Sequence, residues 1–308
     1  MKTSDIKGII PPVITPMNDD AEQTVNHEEL RKQVERLLAG GVHGIFPLGT
    51  NGEAYALSAR EKEEILATVI DQVKGRVPVY AGTGCITTAE TIRMSKRAEE
   101  LGADALSIIT PSFAVASQKE LYDHYVAVAK HVNIPIILYN IPPRTGNKLL
   151  PETVQALCRD VDVIVGAKDS SGDIENLKAY IRLTKELDKD VAILAGNDGA
   201  ILTCLKEGGA GGIAGRANIS GRTPLQTFTT ALLQAIWKAH SAHRMPLPYC
   251  SRPSSMATRI RSSRPLLPCR DAMSASAALP SIMCRKRVWK PSRRCWQMLP
   301  PKAWIKGS

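Results

Sequence analysis

The order of apolar runs and amphipathic segments predicts a (β/α)8 TIM barrel, an α/β fold, for residues 1–219. Three observations carry the prediction. Eight short apolar runs, poor in charge, alternate with helical patterns over about 210 residues, the rhythm of strands covered on both faces by crossover helices. The first run leads into Pro11-Pro12-Val13-Ile14-Thr15-Pro16, not the Gly-rich turn that a doubly wound nucleotide-binding sheet places after its first strand. Polar and glycine-rich clusters follow several runs, where a barrel keeps its chemistry.

In chain order, Gly8-Ile9-Ile10 opens the first strand and His27 to Ala39 has a helical period. Gly44-Ile45-Phe46-Pro47-Leu48 reads as the second strand. A helix over Ala59–Val73 follows, with Ser58 and Glu61 spaced as a capping box. Val77–Ala81 is the third strand. The next helix, Ala89–Leu101, is expected to start on Thr88, with Thr91 in the place of the box's acid. Ala105–Ile109, a helix over Gln118–His131, and Pro135–Tyr139 continue the alternation. Val163–Ala167, Val191–Ala195 and Gly211–Ala214 complete the eight strands.

Composition sets the outer limits. With 44% hydrophobic and 23% charged residues, the chain reads as a soluble globular protein and not as a disordered or collagen-like one. No apolar run reaches the 18 residues of a membrane span. Met1-Lys2-Thr3-Ser4-Asp5 lacks the apolar core of a secretory signal. Seven cysteines without close CxxC pairs suggest neither a disulfide framework nor a zinc site, and the six histidines make no convincing metal pattern. The cytoplasm is the expected location.

The averages conceal a break. Residues 1–219 carry 24 Lys and Arg against 29 Asp and Glu, a net charge of −5; residues 220–308 carry 16 against the single acid Asp271, a net +15. All four tryptophans, four of the seven cysteines and half of the prolines also lie in this last segment. The barrel and the tail therefore need separate readings.

At the strand ends, Lys168 is the most informative residue. A lysine ending an apolar strand points into the barrel mouth, where desolvation favours a neutral, nucleophilic amine able to form a Schiff base with a carbonyl. Its ordinary alternatives are an ion pair with Asp169 or a side chain reaching solvent. Tyr139 ends the neighbouring strand and is placed to shuttle protons, or simply to pack at the rim. Gly49-Thr50-Asn51-Gly52 precedes a helix and leaves N–H groups free for a carboxylate, though glycines also predict an ordinary turn. Asn197-Asp198 is placed either to touch substrate or to cap a helix, and capping is the expectation.

Together these residues are far more specific than apart. Gly49-Thr50-Asn51-Gly52-Glu53, Tyr139-Asn140-Ile141-Pro142, Gly166-Ala167-Lys168-Asp169 and Gly212-Ile213-Ala214-Gly215 stand in the order of four motifs of the dihydrodipicolinate synthase/N-acetylneuraminate lyase family, which residues 6 to about 219 resemble. The resemblance implies a pyruvate-dependent class I aldolase with no metal or organic cofactor. It implies that Lys168 forms the imine, Tyr139 and Thr50 serve the proton relay, and Thr50 with the Asn51 amide holds the pyruvate carboxylate. Ile213 would lend its carbonyl near the imine. Arg144, in Pro143-Arg144-Thr145-Gly146, matches the arginine that takes the carboxylate of an aldehyde co-substrate, a role suited to its bidentate fork. A homo-oligomer, dimer or tetramer, is implied as well.

Two departures bear on the substrate. The synthase branch has a pair of tyrosines after strand four, the second completing the relay across a dimer interface; this chain has Ser112-Phe113. Asn51 stands where the synthase has threonine. Arg144 favours synthase chemistry, condensing pyruvate with aspartate semialdehyde. The alternative is an N-acetylneuraminate lyase or a 2-keto-3-deoxy sugar acid aldolase. A third, distant reading is a lapsed barrel whose basic, tryptophan-containing tail binds nucleic acid.

The family continues past the barrel with an eighth helix and a small helical domain, but residues 220–308 show frequent breakers and no sustained helical period. Regrouping the codons one nucleotide earlier changes the picture. Trp237-Lys238 and Trp289-Lys290 then force glutamate, Met256-Ala257 forces glycine and Trp304-Ile305 forces aspartate. The codons of Gln234–His243 and Ser255–Arg261 permit segments resembling the family's C-terminal region. The tail thus reads as an out-of-frame translation beginning near Ile219, and a chain lacking the native helices is expected to be poorly stable or inactive.

Overall fold

The computed structural model describes residues 1–219; the tail, and every reading placed on it, lies outside the described residues. In chain order the elements are β1 (Gly8–Ile9), α1 (His27–Ala39), α2 (Ala59–Val73), β2 (Tyr80–Gly82), α3 (Thr88–Glu100), β3 (Ala105–Ile109) and α4 (Gln118–Ala129). They continue with β4 (Ile136–Asn140), α5 (Pro142–Thr145), α6 (Pro151–Asp160), β5 (Ile164–Asp169), α7 (Ile174–Thr184), β6 (Ala192–Ala195), α8 (Ile201–Lys206) and β7 (Gly211–Gly212). The seven strands form one parallel sheet in the order β1-β7-β6-β5-β4-β3-β2.

The expected second strand is the one element that does not form a regular ladder. Residues 44–48 are held by isolated parallel bridges, Pro12 with Phe46 and Ile45 with Val79. They still join the two edges of the sheet: Phe46 N–H donates to the Pro11 carbonyl and Val13 N–H to that of Phe46, both at 2.9 Å, while Tyr80 N–H donates to Ile45 at 2.8 Å. Pro11, Pro12, Pro47 and Pro78 supply carbonyls but no N–H, so a continuous ladder is unavailable here. The result is the TIM-type fold that the alternation predicts, with one side stitched by single bonds.

β1 and β7 meet so closely that a Cβ on Gly211 would overlap the Gly8 carbonyl, which is why the last strand is glycine-rich. The core has two layers. Ile10, Phe46, Tyr80, Ile137, Tyr139, Val165, Leu194 and Ile213 are among the side chains filling the barrel interior, and a larger cluster lies between sheet and helices. That two-sided burial keeps the strands apolar throughout.

The helix boundaries follow local capping. Ser58 and Glu61 make the expected box at α2, with Ser58 N–H donating to the Glu61 carboxylate at 2.8 Å. At α3 the cap is Thr87, not Thr88: its hydroxyl accepts from Glu90 N–H at 3.2 Å, so the acid three residues on belonged to the preceding threonine. Thr88 is instead hydrogen-bonded to His124 on α4.

Candidate active site

β4 and β5 pair in a register that sets Tyr139 beside Lys168 and Asn140 beside Asp169. Because successive residues of a strand face opposite sides, the first pair points into the barrel and the second toward the helices. Lys168 is 4% and Tyr139 3% exposed. The Lys168 amine lies 3.6 Å from the centroid of the Tyr139 ring and 5.0 Å from that of Phe46. The Tyr139 hydroxyl is 3.1 Å from Thr50 Oγ1. Three of the residues singled out in sequence, 89 and 29 positions apart, thus meet in one place.

Electrostatics follows from this burial. Desolvation pushes the Lys168 ammonium below the ordinary lysine range, partly opposed by the charge and hydrogen bonding of Tyr139. Burial alone would raise the Tyr139 phenol, but the neighbouring Lys168 charge and the Thr50 hydrogen bond outweigh it, and the phenol sits below its usual value. The pair is therefore arranged to exchange a proton, with a neutral amine as one of its states.

An ion pair between Lys168 and Asp169 is ruled out. Asp169 is buried on the other face, where Oδ1 accepts from Asn140 Nδ2 at 2.9 Å and Ser171 N–H at 3.1 Å. Its Oδ2 accepts from Ser171 Oγ at 2.9 Å and Asn176 Nδ2 at 3.2 Å. Lys168 does not reach solvent either, given its burial.

The chain matches the model of the dihydrodipicolinate synthetase family over residues 5–247. It belongs to that family. Over 243 residues it is 39% identical to the 4-hydroxy-tetrahydrodipicolinate synthase of Methanopyrus kandleri, a match covering 79% of this chain and 80% of that one. The structure superimposes on a chloride-inhibited dihydrodipicolinate synthase from Acinetobacter baumannii complexed with pyruvate, with a TM-score of 0.69, 35% identity and coverage of 77% and 79%. A prophage protein of the same family from E. coli K12, also in complex with pyruvate, gives 0.70, 31%, 77% and 80%. The family match runs beyond Ile219, where the sequence resemblance was expected to stop.

In the frame of the dihydrodipicolinate synthetase family, the remaining motif residues ring the mouth. Thr50 opens a 3-10 turn, Thr50–Gly52, whose end at Glu53 is left-handed. Exposed Asn51 extends its side-chain amide toward Gly215: a Cβ there would stand 3.0 Å from Asn51 Nδ2. Ile213 is buried in the same interior cluster as Tyr139. Arg144 is exposed on α5 and close enough to Tyr55 for its charge to be felt there. Phe46, whose ring approaches Lys168, was missed in the sequence; its place in an inward-facing run was the available signal. Asn197 makes no side-chain cap on the 3-10 turn that follows it, but Asp198 caps the 3-10 turn Gly215–Asn218. Its carboxylate accepts from Gly215 N–H at 3.2 Å and Arg216 N–H at 3.3 Å, because the loops after β6 and β7 lie side by side.

Proposed function

We propose that this chain is a 4-hydroxy-tetrahydrodipicolinate synthase, condensing pyruvate with aspartate semialdehyde through an imine on Lys168. The buried amine stacked on Tyr139 carries the reading. As a neutral nucleophile, Lys168 adds to the ketone carbon of pyruvate, and loss of water leaves the protonated imine. The imine then draws electrons from C3, whose proton is lost to give an enamine that attacks the aldehyde. Tyr139 passes protons to and from the adduct, with Thr50, 3.1 Å from its hydroxyl, as the next member of the relay. Thr50 and the Asn51 amide take the pyruvate carboxylate, the Ile213 carbonyl faces the imine, and Arg144 takes the carboxylate of the aldehyde.

Pyruvate as the first substrate is supported by its presence with two structural neighbours of the same family. A cytoplasmic homo-oligomer, dimer or tetramer, is part of the proposal. Phe113 is 97% exposed, and Tyr55 and Val115 are also exposed, apolar side chains that self-association would cover. Among the described residues no helix is long and apolar enough to cross a membrane. Phe113 and Asn51 favour one second reading, an aldolase or lyase for N-acetylneuraminate or a 2-keto-3-deoxy sugar acid, since Phe113 has no proton to pass.

Treatment with pyruvate and borohydride is expected to add the mass of the reduced imine at Lys168. No adduct in a folded preparation sinks the proposal. Among aldehydes offered with pyruvate, aspartate semialdehyde is expected to be turned over, and Arg144→Ala to raise its KM by roughly tenfold or more while imine formation persists. Turnover of sugar acids, with Arg144 irrelevant, selects the second reading. We further infer that the tail is an out-of-frame translation whose start lies later than Ile219, toward the end of the family match at residue 247. Resequencing codons 219–247, the stretch shared with the family match, tests this; a confirmed frame overturns it.

A further inference from the structure

The loop that carries Thr50 and Asn51 begins and ends in costly backbone. Leu48 before it has φ +60° and Glu53 at its end φ +54°, left-handed conformations that non-glycine residues hold only when their surroundings impose them. Inside the loop, Gly52 N–H closes on the Gly49 carbonyl at 3.0 Å and Glu53 N–H on that of Thr50 at 3.2 Å. These local turns do not fix where the loop sits against the barrel.

That placement comes from the exit of the first strand. Thr15, buried there, donates its hydroxyl to the Gly52 carbonyl at 2.7 Å. The backbones are pressed together at this point, for a Cβ on Gly52 would stand 2.7 Å from the Val13 carbonyl oxygen. The strand exit is itself anchored by buried Asn218, whose Nδ2 donates to the Pro12 carbonyl at 2.8 Å and the Gly215 carbonyl at 3.1 Å. Its Oδ1 accepts from Gln33 Nε2 at 2.9 Å. Polar links therefore run from the turn after β7, through Asn218, to the first strand, and through Thr15 to the loop whose Thr50 hydroxyl meets Tyr139.

We propose that Thr15 is a positioning residue for the carboxylate-binding loop. Its hydroxyl touches no reacting atom. It holds the Gly52 carbonyl, and with it the turn that aims the Thr50 hydroxyl and Asn51 amide at the pyruvate carboxylate. The inference rests on the pyruvate-imine reading above. Losing the donor leaves a buried carbonyl without its partner and releases a loop whose ends are strained, so the first thing to weaken is pyruvate binding.

The test uses the full chain and three variants. Thr15→Val keeps the shape and removes the donor, Thr15→Ser keeps the donor, and Thr15→Cys replaces it with the weak S–H. Thr15→Val is expected to raise the pyruvate KM and lower the borohydride-trapping efficiency by roughly five- to tenfold, with the aldehyde KM unchanged. Thr15→Ser should restore both to within about twofold. If Thr15→Val does not fold, Thr15→Cys is read in the same way. A merely structural threonine would lower the melting temperature and leave the pyruvate KM alone, which overturns the inference; so do failure of serine to rescue and a parallel rise in the aldehyde KM. An unaltered, folded chain that gains no Lys168 adduct overturns the pyruvate reading and takes this inference with it. A normal adduct with a pyruvate KM insensitive to the donor overturns this inference alone.

Discussion

Tyr139 and Lys168 face one side of the β4–β5 ladder, and Asn140 and Asp169 face the other, one residue further along each strand. Both faces bury an ionisable group, and they treat it in opposite ways. On the outer face the Asp169 carboxylate is answered by donors from Asn140, Ser171 and Asn176. Asn140 Oδ1 in turn accepts from Leu149 N–H at 3.0 Å. This is a satisfied network that ties the strands to the segments after them. On the inner face the Lys168 amine meets aromatic rings and a phenol and, among the described residues, no carboxylate. The same two strands thus satisfy one buried charge and leave the other short of counter-charge. In the proposed function the second serves chemistry, because destabilising the ammonium favours the nucleophilic neutral amine.

The sharpest way to break this contrast is to exchange function for stability on the inner face. Lys168→Met is expected to abolish the pyruvate–borohydride adduct and bring turnover to the level without enzyme. The melting temperature should hold or rise, because an apolar chain of similar length replaces a desolvated amine. Asp169→Ala should do the reverse to stability. It strips acceptors from Asn140, Ser171 and Asn176 together, a cost of about 3 kcal/mol by denaturant unfolding, while Asp169→Asn, keeping one acceptor, should cost less. Equal destabilisation by Lys168→Met and Asp169→Ala would erase the distinction between the faces.

The distinction was half legible in the sequence. An apolar strand ending in Lys168-Asp169 announces a charge at the barrel mouth, but the sequence alone allowed the two residues to pair, and only the strand register separates them. The alternation of apolar runs showed the barrel, and Ser58 with Glu61 fixed a helix start to the residue. The second strand looked regular because its side chains are apolar; the prolines that deny it a ladder lie partly on its neighbours, at Pro11, Pro12 and Pro78. Thr87 and Thr88 are adjacent threonines, and the acid at Glu90 decides between them. The ties made by Thr15, Asp198 and Asn218 join segments far apart in the chain, up to 206 residues for Asn218 and Pro12, and no local pattern encodes such a distance.

Within the inner face the roles of amine and phenol should also separate. Tyr139→Phe keeps the ring that the Lys168 amine stacks on and removes the hydroxyl bonded to Thr50. Turnover is expected to fall by roughly a hundredfold, the usual worth of a positioned proton donor. The Lys168 adduct should still accumulate on longer incubation. If Tyr139→Phe turned over at the wild-type rate, the phenol would be packing and not relay.

A third buried ionisable group lies in the helix layer and gives the smallest effect. His124 on α4 is buried, with Nδ1 bonded to Thr88 Oγ1 at 2.9 Å, Nε2 without a partner among the described residues, and its ring edge-on to Tyr125 at 5.1 Å between centroids. Burial pushes it from 6.5 down to about 4. Like Lys168 it is a base whose charged form burial disfavours, but among the described residues no reacting group approaches it, so the consequence is one of stability. Well above pH 6.5 the imidazole is neutral in both folded and unfolded chains and contributes no pH dependence. As the pH falls toward 4, the unfolded chain binds the proton first, and stability drops across that window. At pH 5.5 the loss is about 1 kcal/mol relative to neutral pH. His124→Gln, which keeps a partner for Thr88 and cannot titrate, is expected to lose less stability than the parent chain between pH 7 and 5.5. Denaturant midpoints that fall in parallel for both chains would show that His124 is not held neutral by its burial, and the resemblance to the inner face would then end at Lys168.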